Sequence, residues 1–274
     1  MWTVFSSLAG ECDAVTSQDI YKDMDAALYE SGEQVDGEDF FESLGGEMED
    51  WPQLSPIELE TLTIGNLADY NDTRLTSSEL FKKVLHAPGL AELKLYVVFE
   101  ESKRAPEKYT RLTEKYHFMD SLGSAWLAPE VAKKLRILSL FREDYWGWSP
   151  KIDFRKINPG PGLDSGLPKL EVLVLGNLVF SCGWQAGWFV SLGRRNDHGG
   201  LQELYLDNCP IIYAAYTYDR LDVGSDGDYH SLLSAHNAVS DEVDKLFPLR
   251  WNELLNHWAE NMNALKVLKI GRGE

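Results

Sequence analysis

The chain is poor in the features that announce a chemistry. It has three cysteines, Cys12, Cys182 and Cys209, and no CxxC pair. An odd count without that spacing gives neither a disulfide framework nor a zinc site. It fits reduced thiols in the cytosol or nucleus. Basic residues are scarce: 26 Lys and Arg stand against 44 Asp and Glu, a net charge of −18. No basic patch is present to neutralise phosphates, which argues against nucleic acid and against an anionic membrane surface. No apolar run reaches the roughly 18 residues of a membrane span. The start, Met1-Trp2-Thr3-Val4-Phe5, lacks the basic flank of a signal peptide. A GxSxG elbow, a P-loop, a GxGxxG turn and an HExxH pair are missing as well. No enzyme class is signalled, and no catalytic residue, metal or cofactor is expected.

What is present is enough for a sizeable core: 274 residues, 44% hydrophobic, with nine Trp and twelve Tyr. That aromatic content implies a well-filled core, a sticky surface, or both. The acidity is uneven. Residues 1–50 carry a net charge of −13 and residues 51–274 only −5. The first stretch is poorly periodic and reads as an acidic, partly disordered segment, with one candidate helix from Asp19 to Leu28.

From residue 51 a pattern recurs: Leu-x-x-Leu-x-Leu. Its six copies are Leu59/Leu62/Ile64, Leu90/Leu93/Leu95, Leu135/Leu138/Leu140, Leu170/Leu173/Leu175, Leu201/Leu204/Leu206 and Leu265/Leu268/Ile270. Each predicts a short strand whose fourth and sixth positions share one side, because strand side chains alternate. Helices between strands make this an α/β chain, an irregular leucine-rich-repeat solenoid of short parallel strands with helices and long loops opposite. First leucines are 31, 45, 35, 31 and 64 residues apart, against a usual period of about 20–29. The last gap predicts one further degenerate repeat.

Thr76-x-x-Glu79 has the form of a capping box before Leu80, Phe81, Val84 and Leu85. Trp184, Trp188, Phe189 and Leu192 predict a helix ending near Gly193. Helical spacing also links Leu232, His236, Val239, Val243 and Leu246, and, after Pro248, Trp251, Leu254, Leu255, Trp258 and Met262. Cys209 stands where the repeat wants Asn or Cys to satisfy backbone groups, and reads as a buried structural thiol.

Three stretches carry a resemblance: Leu138 to Arg155, Leu167 to Ser181 and Leu201 to Ile211. They resemble the middle of fungal F-box/leucine-rich-repeat proteins, a likeness covering roughly residues 51–274. The resemblance implies the substrate-recognition part of a ubiquitin-ligase receptor, whose N-terminal F-box of about three helices docks the ligase adaptor while the repeats hold the substrate. The chain departs from that pattern before residue 51, where no Leu-Pro-x-Glu opening or leucine-rich helical trio occurs. The expectation is an F-box upstream of Met1, or none. A solenoid also needs a polar cap, and Glu274 follows the last strand by four residues, which reads as truncation at the C-terminal end.

If positions 4 and 6 face inward, positions 3, 5 and 7 line the concave side of such a repeat. Their middle is apolar: Ile137, Phe141, Val172 and Val174, with Tyr205 beside them. An exposed apolar row marks an interaction site, so these residues are the expected partner floor. Tyr145, Trp146 and Trp148 are the expected flank, since Tyr and Trp are favoured at binding hot spots. The same cluster also suits an edge loop packing onto the core. The expected partner is a protein, with the ligase adaptor as a second if an F-box exists. Two alternatives stay open. One is a scaffold whose acidic N-terminus binds a basic partner. The other is a hydrolase using the acidic 207–230 loop, where Asp222, Asp226 and Asp228 resemble the start of a calcium loop but lack its closing Glu.

Overall fold

The structure is a computed structural model describing residues 58–98, 112–148, 150–157, 166–217 and 243–271, with backbone alone for 112–116, 214–217 and 243–246. The acidic segment 1–50, its candidate helix, the Asp222–Asp228 loop and His236 lie outside the described residues.

Internal contacts divide the chain into two units. The first comprises Met1–Leu59 and Ser77–Pro88, the second Glu60–Thr76 and Gly89–Glu274. In the first unit the described residues form one helix, α2 (Glu79–Leu85), which buries Phe81, Val84 and Leu85. Its N-cap is Ser78, whose Oγ accepts the Phe81 amide at 3.1 Å. The expected cap, Thr76, instead gives its hydroxyl to the Asp72 carbonyl at 3.1 Å within the short helix α1 (Thr73–Ser77).

The second unit is α/β. Six strands, β1 (Thr61–Ala68), β2 (Glu92–Val98), β3 (Ile137–Trp146), β4 (Val172–Leu178), β5 (Glu203–Asp207) and β8 (Val267–Gly271), form one sheet in that order. Every pairing is parallel. The register keeps the motif aligned across all six strands: Leu62, Leu93, Leu138, Leu173, Leu204 and Leu268 are successive partners. Alternation points positions 4 and 6 to one side; Leu62, Leu93, Leu138, Leu173 and Leu204 are buried there, and their burial drives the stacking.

The backbone repeats as well. Before each strand, one carbonyl accepts two successive amides of the next: Glu60 from Ala91 and Glu92, Ala91 from Arg136 and Ile137, Arg136 from Glu171 and Val172, Glu171 from Gln202 and Glu203, Gln202 from Lys266 and Val267. The ten distances run from 2.8 to 3.1 Å.

Parallel strands need crossovers, and helices supply them. Between β2 and β3 lie α3 (Leu112–Ser121) and α4 (Pro129–Ala132), and α5 (Gly183–Gly193) joins β4 to β5. The buried Gln185 caps α5 by accepting the amides of Ser181 and Cys182 at 2.7 and 2.9 Å. Helix α6 (Trp251–Asn261) precedes β8 and buries Leu254 and Trp258. Together α5, α6 and the chain around them build an aromatic cluster. Phe154 stacks on Trp188 at 4.3 Å, and Phe189 meets Trp188 and Trp258 at 5.1 Å each. Much of the Trp and Phe content is therefore core.

The 64-residue gap does not insert another strand in this sheet, because β5 pairs directly with β8. Its described residues contain an antiparallel pair, β6 (Ala214–Thr217) with β7 (Val243–Leu246). Helical spacing through Val243 and Leu246 thus fails at its end: strand pairing with 214–217 overrides the local period.

Candidate functional site

The sheet face opposite the core row carries positions 3, 5 and 7. The register makes Ile137 a partner of Val172, Ser139 of Val174 and Phe141 of Gly176, and Val174 of Tyr205. The expected floor residues are therefore neighbours on one face, each partly exposed.

Phe141 forms the centre. Its ring stacks on Tyr96 with centroids 5.0 Å apart and planes 12° apart. On the other side it lies over Gly176, where an added Cβ would fall 1.9 Å from Phe141 Cδ2. Tyr96, Phe141 and Gly176 thus make a continuous shelf across three strands. Tyr96 stands at position 7 of its repeat and pairs with Phe141, so alternation puts it on this face beside the apolar floor. A depression of about 240 Å³ adjoins the shelf, lined by Thr63, Ile64, Lys94, Leu95, Tyr96, Ser139 and Phe141.

Paired charges surround the shelf. Lys94 Nζ reaches Glu92 at 2.8 Å, and that hydrogen bond holds the Glu92 carboxyl below its usual range. Tyr205 donates its hydroxyl to Glu203 at 2.6 Å, which pushes the phenol pKa up. Lys269 Nζ lies 5.3 Å from the Tyr205 ring centroid, within cation–π range. Arg136 holds Glu171 with two bonds of 2.9 and 3.0 Å.

The flank divides. Tyr145 is 49% exposed, its hydroxyl 3.4 Å from Asn208 Oδ1. Trp146 corrects the expectation. It is 2% exposed, donates Nε1–H to the Gly176 carbonyl at 2.6 Å and meets Phe154 edge-on. It faces the core: the register of β3 on β4 shifts between Phe141 and Trp146, and Trp146 comes opposite the buried Leu178. A partner cannot reach it in the folded protein. Trp148 is half-buried and edge-on to Phe247 at 6.1 Å. Gly147 between them has φ +97°, and a Cβ there would meet Leu178 Cδ1 at 2.5 Å.

Polar links anchor the strand ends beneath Tyr145. The buried Arg142 pairs with the buried Asp69 at 2.9 Å and donates to the Tyr145 carbonyl at 3.0 Å. Asn177, at φ +60°, donates to the carbonyls of Arg142 and Glu143 at 2.7 and 3.0 Å. Asn208, at φ +51°, donates to Asn177 Oδ1 at 2.6 Å. Asn tolerates the left-handed region, and its amide satisfies strand-end carbonyls.

Cys209 lies 3.3 Å from the carbonyls of Leu175 and Asp207. Burial pushes its thiol up to about 12, so at neutral pH it is not the thiolate that nucleophilic chemistry needs. Among the described residues no group of three or more His, Cys, Asp or Glu is placed to hold a metal ion, and no helix is long and apolar enough to cross a membrane. Comparison of the chain with protein-family models, with curated proteins and with solved structures finds no match.

Proposed function

We propose that the chain is a leucine-rich-repeat solenoid acting as a non-catalytic protein-interaction module, with the face of positions 3, 5 and 7 as its partner site. The observation that carries this reading is the aromatic shelf. Tyr96 and Phe141 lie stacked and partly exposed, contiguous with Ile137, Val172, Val174 and Tyr205. Contiguous apolar and Tyr surface with charged pairs at its rim has the composition of a binding hot spot. The resemblance of 138–155, 167–181 and 201–211 to fungal F-box/leucine-rich-repeat proteins extends the reading. The partner is then the substrate of a ubiquitin-ligase receptor, in the cytosol or nucleus. Cys182 and Cys209 are buried cysteines without a disulfide, which suits a reducing compartment.

The test is affinity capture from a cell lysate with the wild type and with Phe141→Asp/Val174→Asp. The wild type retains a set of proteins, the ligase adaptor among them if the receptor reading holds, and the double variant loses the substrate. The variant's far-UV circular dichroism and melting must match the wild type's. Unfolding would make these residues core and sink the reading. Recovery of substrate without adaptor would leave the interaction module and remove the ligase role.

A further inference from the structure

Across the face of positions 3, 5 and 7, charge is sorted by row. The register sets Thr63, Lys94, Ser139, Val174, Tyr205 and Lys269 side by side at position 5 of the six strands. Two lysines therefore bracket Ser139, Val174 and Tyr205, and no acid stands in this row. Position 3 runs Glu92, Ile137, Val172 and Glu203 over β2 to β5. Its two acids are engaged within the face. Glu92 accepts Lys94 Nζ at 2.8 Å, and Glu203 accepts the Tyr205 hydroxyl at 2.6 Å.

Lys94 also lines the depression of about 240 Å³, with the hydroxyl residues Thr63 and Ser139 and the Tyr96–Phe141 stack. Among the described residues that line it, none is acidic. An ammonium has three N–H donors, and Glu92 takes one from Lys94. A carboxylate entering the depression meets Lys94 and two hydroxyls, with aromatic carbon beside its methylenes. A cation meets Lys94 as a like charge. At the far end of the row the exposed Lys269 lies over the Tyr205 ring. Lys94 and Lys269 are four strand spacings apart. At about 4.8 Å each this is about 19 Å, the length of about six extended residues.

Resting on the interaction-module reading, we propose that this face takes an extended acidic segment of a partner protein, laid across the strands. An Asp or Glu at one end enters the depression at Lys94. A second, about six residues away, meets Lys269, and apolar side chains between them lie on Phe141, Val174 and Tyr205. An even spacing keeps both acids on one side of an extended chain. The segment is internal to the partner, because the floor continues from the depression past Val174 to Tyr205.

Fluorescence anisotropy of the full chain with labelled synthetic decapeptides, acetylated and amidated at their ends, tests this. Two positions six residues apart hold Glu, Gln or Lys, and Leu, Val, Phe and Tyr are varied between them. The peptide with Glu at both positions should bind tightest. Each exchange of Glu for Gln should weaken it about fivefold, the scale of an exposed ion pair, and high salt should weaken it too. Lys94→Glu should turn the preference at one position from Glu to Lys, and Lys94→Arg should keep it. Lys269→Glu should do the same at the other position, and it decides if circular dichroism shows Lys94→Glu unfolded. Peptides that Phe141→Asp/Val174→Asp releases, but that bind without preference for Glu or with preference for Lys, overturn this inference and leave the interaction module standing. A folded Lys94→Glu with the wild-type preference does the same. A wild type that binds no peptide overturns both.

Discussion

The ring of Phe141 occupies the space above Gly176 that any other residue would fill: a Cβ at 176 would stand 1.9 Å from Phe141 Cδ2 and 2.4 Å from Cε2. The shelf therefore depends on a residue that is itself buried. Gly176→Ala must push Phe141 off Tyr96 or bend β4. Overpacking of this kind costs about 1–3 kcal/mol. Urea denaturation measures that loss, and capture of the partner should weaken with it. A variant with unchanged stability and binding would show that the ring moves freely, and so is no fixed platform.

Asp69 and Arg142 form a buried ion pair, 2% and 3% exposed at the side chain. Truncating one partner strands the other charge, which costs about 3–5 kcal/mol. Asp69→Ala should therefore unfold at much lower urea than the wild type. Asp69→Leu/Arg142→Met should recover most of the difference, because a matched apolar pair avoids the desolvation cost. Equal losses in the single and double variants would mean that the pair acts through packing alone.

Asn177 joins backbone geometry to side-chain bonding. Asn177→Gly keeps the left-handed φ but removes the bonds to the Arg142 and Glu143 carbonyls and the one received from Asn208. Asn177→Ala loses those bonds and adds strain of about 1 kcal/mol or more. The expected order of stability is wild type, Gly, Ala. Thermal melting reads it, and Ala equal to Gly would remove φ from the explanation.

Cys209 should resist thiol reagents in the native state and react after denaturation, since burial raises its pKa to about 12 from an ordinary 9.0. The sign follows from the neutral thiol being favoured in the folded chain. Its contribution to stability is complete below pH 9 and is lost as pH rises from 9.0 toward about 12. Cys209→Ala should have a shallower alkaline decline than the wild type. Rapid native labelling at pH 8 would contradict the buried, bonded thiol.

Much of this fold is written in the spacing of leucines. Leu-x-x-Leu-x-Leu marked all six parallel strands and their inward side, because a period of two determines which side chains share a face. Helices α5 and α6 were equally legible from Trp184 to Gly193 and from Trp251 to Met262. The face of positions 3, 5 and 7 followed from the same alternation, so Ile137, Phe141, Val172, Val174 and Tyr205 are neighbours on it.

Strand order and side-chain fate at strand ends belong to the tertiary structure. Nothing local in Val243–Leu246 says that a strand at 214–217 pairs with it, nor that β5 pairs with β8 across 64 residues. In sequence Trp146 fits both a partner flank and an edge loop packed on the core. It is core because the register of β3 on β4 shifts before it, and its indole meets the Gly176 carbonyl. The 37% exposure of Leu268, against 0% for Leu204, has the same origin. The motif specifies which way a side chain points. Only the neighbouring strand decides whether water is excluded from it.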